Sequence, residues 1–192
     1  MAEKSSRPSR KSGSNTSDPF RQYEESFVAT PDPWTEISKL EHGSDRSFAS
    51  TVRSIVMNAE PAQRPGFETK LLAALERPGC TDVGARFIGE MLALIGGAKT
   101  VAALAPRLHQ PKTADNARYA LEPIAEPAVD EAFRAALGQL GGPPKIGLIG
   151  SIALRGDRAA VPALAAIQKN PAEPAAAREA AGRALERLNA RS

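Results

Sequence analysis

Ala93-Leu94-Ile95-Gly96-Gly97-Ala98-Lys99-Thr100-Val101-Ala102-Ala103-Leu104-Ala105 returns sixty positions later as Ala153-Leu154-Arg155-Gly156-Asp157-Arg158-Ala159-Ala160-Val161-Pro162-Ala163-Leu164-Ala165. The shared frame is Ala-Leu, one residue, Gly, four residues, Val, one residue, then Ala-Leu-Ala. Sixty is twice about thirty, a period that belongs to stacked arrays of short helix pairs. This repetition predicts an all-α chain, an α-solenoid of about four antiparallel helix pairs closed by a C-terminal capping helix.

The rest of the chain can be placed around that frame. Phe48, Val52, Ile55 and Val56 form one apolar helical stripe, and Phe67, Leu71, Leu72 and Leu75 form the next. Thr81-Asp82 supplies cap chemistry for a helix with Phe87, Ile88, Met91, Leu92 and Ile95, which stops at Gly96-Gly97. Thr100 opens a helix running to Leu108. The third pair spans Ala117–Ile124 and Pro127–Leu140, and the fourth carries Ile146–Leu154 and, after Asp157, Val161–Ile167. Leucines 75, 104, 137 and 164 align the second helices at intervals of 29, 33 and 27. In the last helix Ala177, Ala181, Leu185 and Leu188 face inward beneath a polar outer face, which suits a terminal cap.

Three regions follow. Residues 1–30 are a polar tail whose first 14 residues hold Lys4, Arg7, Arg10 and Lys11 against Glu3. The tail has too little apolar surface to offset the entropy of ordering, so it is expected to be disordered. Residues 31–43 read as a short helical lid carrying Trp34, Ile37 and Leu40, stopped at Gly43. Residues 44–192 form the array. The 35 alanines lie mostly beyond residue 90 and suit close-packed short helices, while the 16 prolines argue against a few long ones.

An N-terminal Arg in the first helix, a Leu-x-Gly ending and Val-x-Ala-Leu in the second resemble HEAT repeats. The closest form is the short one named for phycobilisome lyases. Ala117-Arg118-Tyr119-Ala120-Leu121-Glu122-Pro123-Ile124 with Glu126-Pro127-Ala128-Val129-Asp130-Glu131-Ala132 is similar to HEAT-repeat proteins of environmental bacteria. The resemblance covers Trp34 to Leu188. It implies a right-handed solenoid that binds another protein on the face built by the second helices. Two departures stand out: the first pair lacks the Gly and Arg landmarks, and Lys145 takes the place of Arg.

Arg86, Arg118, Lys145 and Arg178 recur at intervals of 32, 27 and 33. They read as a structural ladder, each side chain bridging to a neighbouring loop, rather than as an anion-binding stripe. With the apolar residues of the second helices turned inward, Arg77, Arg107, Arg134 and Lys169 are left outward, with Glu68 and Glu131 among them. Together with Trp34 they are the candidate protein-binding residues.

No enzymatic activity is expected. His42 and His109 are the only histidines and neither is followed by Glu, so the His-Glu pairs that a metal-centred HEAT-like enzyme needs are missing, and no metal site is expected. The Gly-Gly pairs lack a phosphate-loop pattern. No cofactor is expected. A net charge of +3, dispersed rather than concentrated, gives little support for nucleic acid as partner. The absence of a long apolar run predicts no membrane span, and nothing apolar follows the basic N-terminus as a secretory signal would require. The expectation is a cytoplasmic, monomeric, non-enzymatic scaffold module that binds another protein. The alternatives are a nucleic-acid-binding HEAT-like protein and a phycobilisome-lyase-like accessory factor.

Overall fold

The computed structural model describes residues 31–190; the tail expected over residues 1–30 lies outside them. Ten α-helices and no strand occur among the described residues. Helix α1 (Pro33–Glu36) runs into a 3-10 turn, Ile37–Lys39. Then come α2 (Ser47–Met57), α3 (Arg64–Leu75), α4 (Asp82–Ile95) and α5 (Ala98–Leu104), the last continuing as a 3-10 turn over Ala105–His109. The remainder is α6 (Ala114–Leu121), α7 (Pro127–Leu137), α8 (Gly142–Arg155), α9 (Val161–Lys169), preceded by the turn Arg158–Ala160, and α10 (Ala175–Asn189).

Proline sets many of these boundaries. It occupies the first turn of α3, α7, α8 and α9, where its missing N–H costs nothing. Pro106 has a different effect. The apolar pattern predicts one helix from Thr100 to Leu108, but the α-helix ends at Leu104 and tightens to 3-10 around the proline. Asp157 caps the 3-10 turn rather than α9 itself, accepting a hydrogen bond from the Ala159 N–H at 3.1 Å. Gly156 ends α8 in the left-handed region at φ 79°, where a side chain would be strained.

Packing follows chain order. The even-numbered helices touch in succession, α2 to α4, α6, α8 and α10. Among the odd-numbered helices α1 meets α3, α3 meets α5 and α5 meets α7. From α2 onward, no principal contact joins helices more than two apart. One continuous core runs through them, with Leu71, Ile88, Leu121, Phe133, Leu148 and Ile152 fully buried. Each such side chain contributes roughly 1.5–3 kcal/mol on leaving water. A short helix exposing its stripe could not hold its shape alone, so neighbours supply most of its stability.

The N-terminal turn is fastened to α4 through the backbone. Ile37 and Leu40 are buried. The Thr81 N–H donates to the Ser38 carbonyl at 2.9 Å and the Thr81 hydroxyl to the Leu40 carbonyl, while the same hydroxyl oxygen caps the Gly84 N–H at 2.9 Å. Trp34 stacks on Phe67 of α3, centroids 5.5 Å apart and planes at 14°. Space is tightest at Gly84, where a Cβ would stand 2.6 Å from the Ser38 carbonyl oxygen and 2.8 Å from that of Ile37. Backbone cannot yield as a side-chain tip can. Gly84→Ala should therefore lower unfolding free energy by about 1–3 kcal/mol in urea titration. Gly89→Ala on the same helix, whose Cβ would meet the Ala120 Cβ at 3.6 Å and the Asn116 carbonyl oxygen at 3.8 Å, both ordinary contacts, should not destabilise the protein.

Candidate functional site

Many polar side chains that cross between helices find a partner about one repeat away in sequence. Glu68 reaches Gly97 and Thr100, Arg118 reaches Ser151, and Ser151 donates to Glu122. Lys145 pairs with Glu173, Arg155 meets the carbonyls of Glu122, Ile124 and Glu126, and Arg158 meets that of Leu188. All of these separations lie between 28 and 33 residues, one repeat length.

Glu68 departs from the outward placement that its helical position suggests. It is 5% exposed and accepts hydrogen bonds from the Gly97 N–H (2.8 Å), the Thr100 N–H (2.9 Å) and the Thr100 hydroxyl (2.7 Å). The reason lies at the start of α5. Counting back seven residues from the aligned leucines gives Glu68, Gly97, Asp130 and Asp157. The second copy alone has glycine there, so α5 has no side-chain cap of its own. The preceding odd-numbered helix supplies the carboxylate instead. Burial pushes the Glu68 carboxyl up, but the three donors and the nearby Lys99 outweigh burial and hold it below its ordinary value.

The ladder of Arg86, Arg118, Lys145 and Arg178 is not uniform. Arg118 is buried between α6 and α8, donating to the Ser151 hydroxyl at 3.0 Å and to Asp115 at 3.2 Å, with Glu122 at 3.6 Å. Lys145 is buried against Glu173. Arg178 is half-buried, its Nε enclosed and unpartnered. Arg86 is 76% exposed and has only a loose 3.8 Å contact with Glu90. Register explains the difference. The opening repeat is offset by 60, which aligns Arg86 with Ile146 and Lys145 with Ala85. One residue turns a side chain by about 100° around a helix, so Arg86 belongs to another face.

Arg155 carries no signal in the charge pattern, yet it is the most connected cation. It donates to Asp130 at 2.5 Å, to the Glu122 and Ile124 carbonyls at 2.7 Å each and to the Glu126 carbonyl at 3.3 Å. Those carbonyls sit just past the end of α6, where helix termini leave acceptors unsatisfied. A hint was available in the repeat itself: Arg155 stands where the earlier copy has buried Ile95.

The candidate binding residues differ in their settings. Trp34 and Arg77 line one hollow of 290 Å³, where the Lys70 ammonium sits 5.3 Å from the indole centroid. Arg107 is half-buried beside Cys80, whose thiol is pushed up by burial, partly countered by Arg107 itself. Lys169 is exposed at the end of α9. Arg134 is not left pointing into water: it is committed to Asp157 at 2.6 Å, whose side chain is 6% exposed. A pairing partner seven residues ahead of an aligned leucine was the missed clue.

Large apolar side chains exposed to water sit on the other set of helices. Met57, Leu94, Tyr119 and Leu154 are 69%, 53%, 64% and 42% exposed, on α2, α4, α6 and α8 in turn. Between those helices lie two grooves. One, of 440 Å³, runs between α4 and α6 past Arg86, Gly89, Glu90, Ala93, Tyr119 and Ala120. The other, of 370 Å³, runs between α8 and α10 past Ile146, Gly150, Ala153, Ala180, Arg183 and Arg187. No helix among the described residues is long and apolar enough to cross a membrane, and no group of three or more metal-ligating side chains converges among them. Compared with known protein families, curated proteins and solved structures, the chain matches none.

Two outcomes follow. Glu68→Ala strands the donors of Gly97 and Thr100 and should cost about 1–3 kcal/mol at neutral pH. Because the folded carboxyl lies below its unfolded value, this contribution is full above the ordinary glutamate range of about 4.3. It should shrink as pH falls from there through the folded value, so the wild-type advantage in chemical denaturation narrows below about pH 4. Arg118→Ala should cost about 2–3 kcal/mol, somewhat less than a fully buried pair because Asp115 and Glu122 retain some water. Arg86→Ala should change stability by no more than about 0.5 kcal/mol, and equal losses at both positions would contradict the register argument.

Proposed function

We propose that the chain is a non-enzymatic scaffold that binds another protein on the surface of stacked helices. The architecture that goes with this reading is an α-solenoid of HEAT type, about four antiparallel pairs with a capping helix, acting as a cytoplasmic monomer. Helix contacts in chain order and polar links one repeat long support the stacking. A stack of this kind offers a broad surface rather than a closed cavity.

The observation that carries the binding reading is the run of exposed Met57, Leu94, Tyr119 and Leu154. Single exposed apolar residues are ordinary. These four lie on helices that touch in succession, and Leu94 and Leu154 hold the same place in the sixty-residue repeat. Tyrosine and leucine on a rigid support contribute contact area at low entropic cost. On this reading the binding face lies on the even-numbered helices, whereas the HEAT resemblance implies the second, odd-numbered ones.

Affinity capture with the full chain from its native cell should return one protein in stoichiometric amount. The pair Leu94→Glu and Tyr119→Glu should reduce recovery by roughly tenfold or more with an unchanged melting temperature. Recovery of nucleic acid that salt releases, or of no stoichiometric protein, would contradict the proposal.

A further inference from the structure

The two grooves between even-numbered helices occupy corresponding places in the repeat. On their first walls Arg86, Glu90 and Ala93 become Ile146, Gly150 and Ala153, each sixty residues on. On their second walls Asn116, Tyr119 and Ala120 become Ala180, Arg183 and Ala184, each sixty-four on. The frame is kept and the chemistry is changed. The α4–α6 groove carries one guanidinium, Arg86, and two carboxylates, Glu90 and Asp115. The α8–α10 groove carries two guanidinium groups, Arg183 and Arg187, and no carboxylate among the residues lining it.

We infer that the α8–α10 groove is the docking site for an acidic amphipathic helix of a partner protein, an inference that rests on the scaffold reading above. Three features fit that occupant. The floor is apolar and shallow: Ala153, Ala180 and Ala184 are buried and Gly150 has no side chain, so aliphatic groups of a partner reach the helix backbones. Arg183 and Arg187 stand one helical turn apart on the rim, the spacing at which carboxylates one turn apart on a second helix are met. Both arginines are exposed, and the contact of Arg183 with Glu179 is a loose 3.8 Å between side chains 68% and 69% exposed, which water screens. An apolar stripe flanked by acids would seat here, whereas the other groove offers it carboxylates already paired, Glu90 with Arg53 at 3.3 Å and Asp115 with Arg118 at 3.2 Å, and no comparably free cation pair.

Gly150 adds a separate argument. It lies inside α8, where glycine is disfavoured. Gly147, one turn earlier, has an internal reason, since a Cβ there would come 2.9 Å from the Arg118 side chain. At Gly150 a Cβ would meet nothing within 4 Å. Packing within the chain does not call for the glycine; close approach from outside does. Helix-in-groove recognition uses such smooth floors with apolar anchors one and two turns apart.

The test uses the full chain and two synthetic amphipathic peptides about 18 residues long, five helical turns. They share a leucine stripe and differ only in carrying glutamate or lysine beside it. Fluorescence anisotropy should show the glutamate peptide binding roughly tenfold or more tighter than the lysine peptide. Charge reversal at both rim positions, Arg183→Glu with Arg187→Glu, should invert that preference. Gly150→Leu, whose Cβ meets nothing within 4 Å and whose fold is checked by melting, should weaken the glutamate peptide roughly tenfold. Arg86→Glu should leave it within about twofold. Equal binding of the two peptides, no response to the rim reversal, or an equal loss from Arg86→Glu overturns the inference. A photo-cross-linking side chain at position 150, and another at 119, separates this from the broader reading in the native cell. Capture of an acidic protein segment at 150 supports the site. Protein captured at 119 alone overturns the site and leaves the scaffold standing. A second copy of this chain or nucleic acid at 150 overturns the site, and capture at neither position removes both.

Discussion

A charged side chain reaching into an adjacent copy to satisfy an open helix end is the interaction on which this structure turns. Arg155 does so for the carbonyls beyond α6, and Glu68 for the amides that begin α5. Short helices are costly in this respect, because each one leaves donors and acceptors open at both ends however few residues lie between. A chain of ten such helices has many orphaned donors and acceptors, and buried ones cost more than most single apolar contacts contribute. The apolar core holds neighbours together without specifying their angle or register. The buried ion and amide pairs do specify them, since each is satisfied at one relative placement only.

Much of the architecture was legible in the primary structure because two independent signals coincided. Apolar stripes at helical spacing mark where helices lie, and the recurrence of Ala-Leu-x-Gly marks which of them correspond. Prolines in first turns and glycines past helix ends then set the boundaries, as at Pro127 and Gly156. The exception at Ala105–His109 shows a limit of stripe reading. Leu104 and Leu108 keep their helical spacing whether or not Pro106 lets the backbone bonds continue, so the stripe persists across a change of helix type.

The polar residues were read less well, for a physical reason. A charge on a helix is assigned to water unless something nearby claims it, and that claim comes from thirty residues away. Glu68 looks solvated until Gly97 is recognised as a helix start with no side chain to cap it. Arg86 looks equivalent to Arg118 until the sixty-residue offset moves it by one position, enough to turn it to another face. Arg155 was visible only as a mismatch with Ile95. In each case the decisive comparison is between copies at strict register, and loop-length drift between 27 and 33 residues blurs that register.

The one-repeat reach of these links has a bearing on how the chain can change. At three junctions one copy carries half of a contact whose other half sits in its neighbour, and the halves differ: carboxylate to amide at one, guanidinium to hydroxyl at another, ammonium to carboxylate at a third. Modules cut from this protein are therefore not interchangeable bricks. Exchanging two of them would keep every apolar surface covered and yet leave ionic groups facing the wrong neighbour, so the order of the copies is itself inherited information.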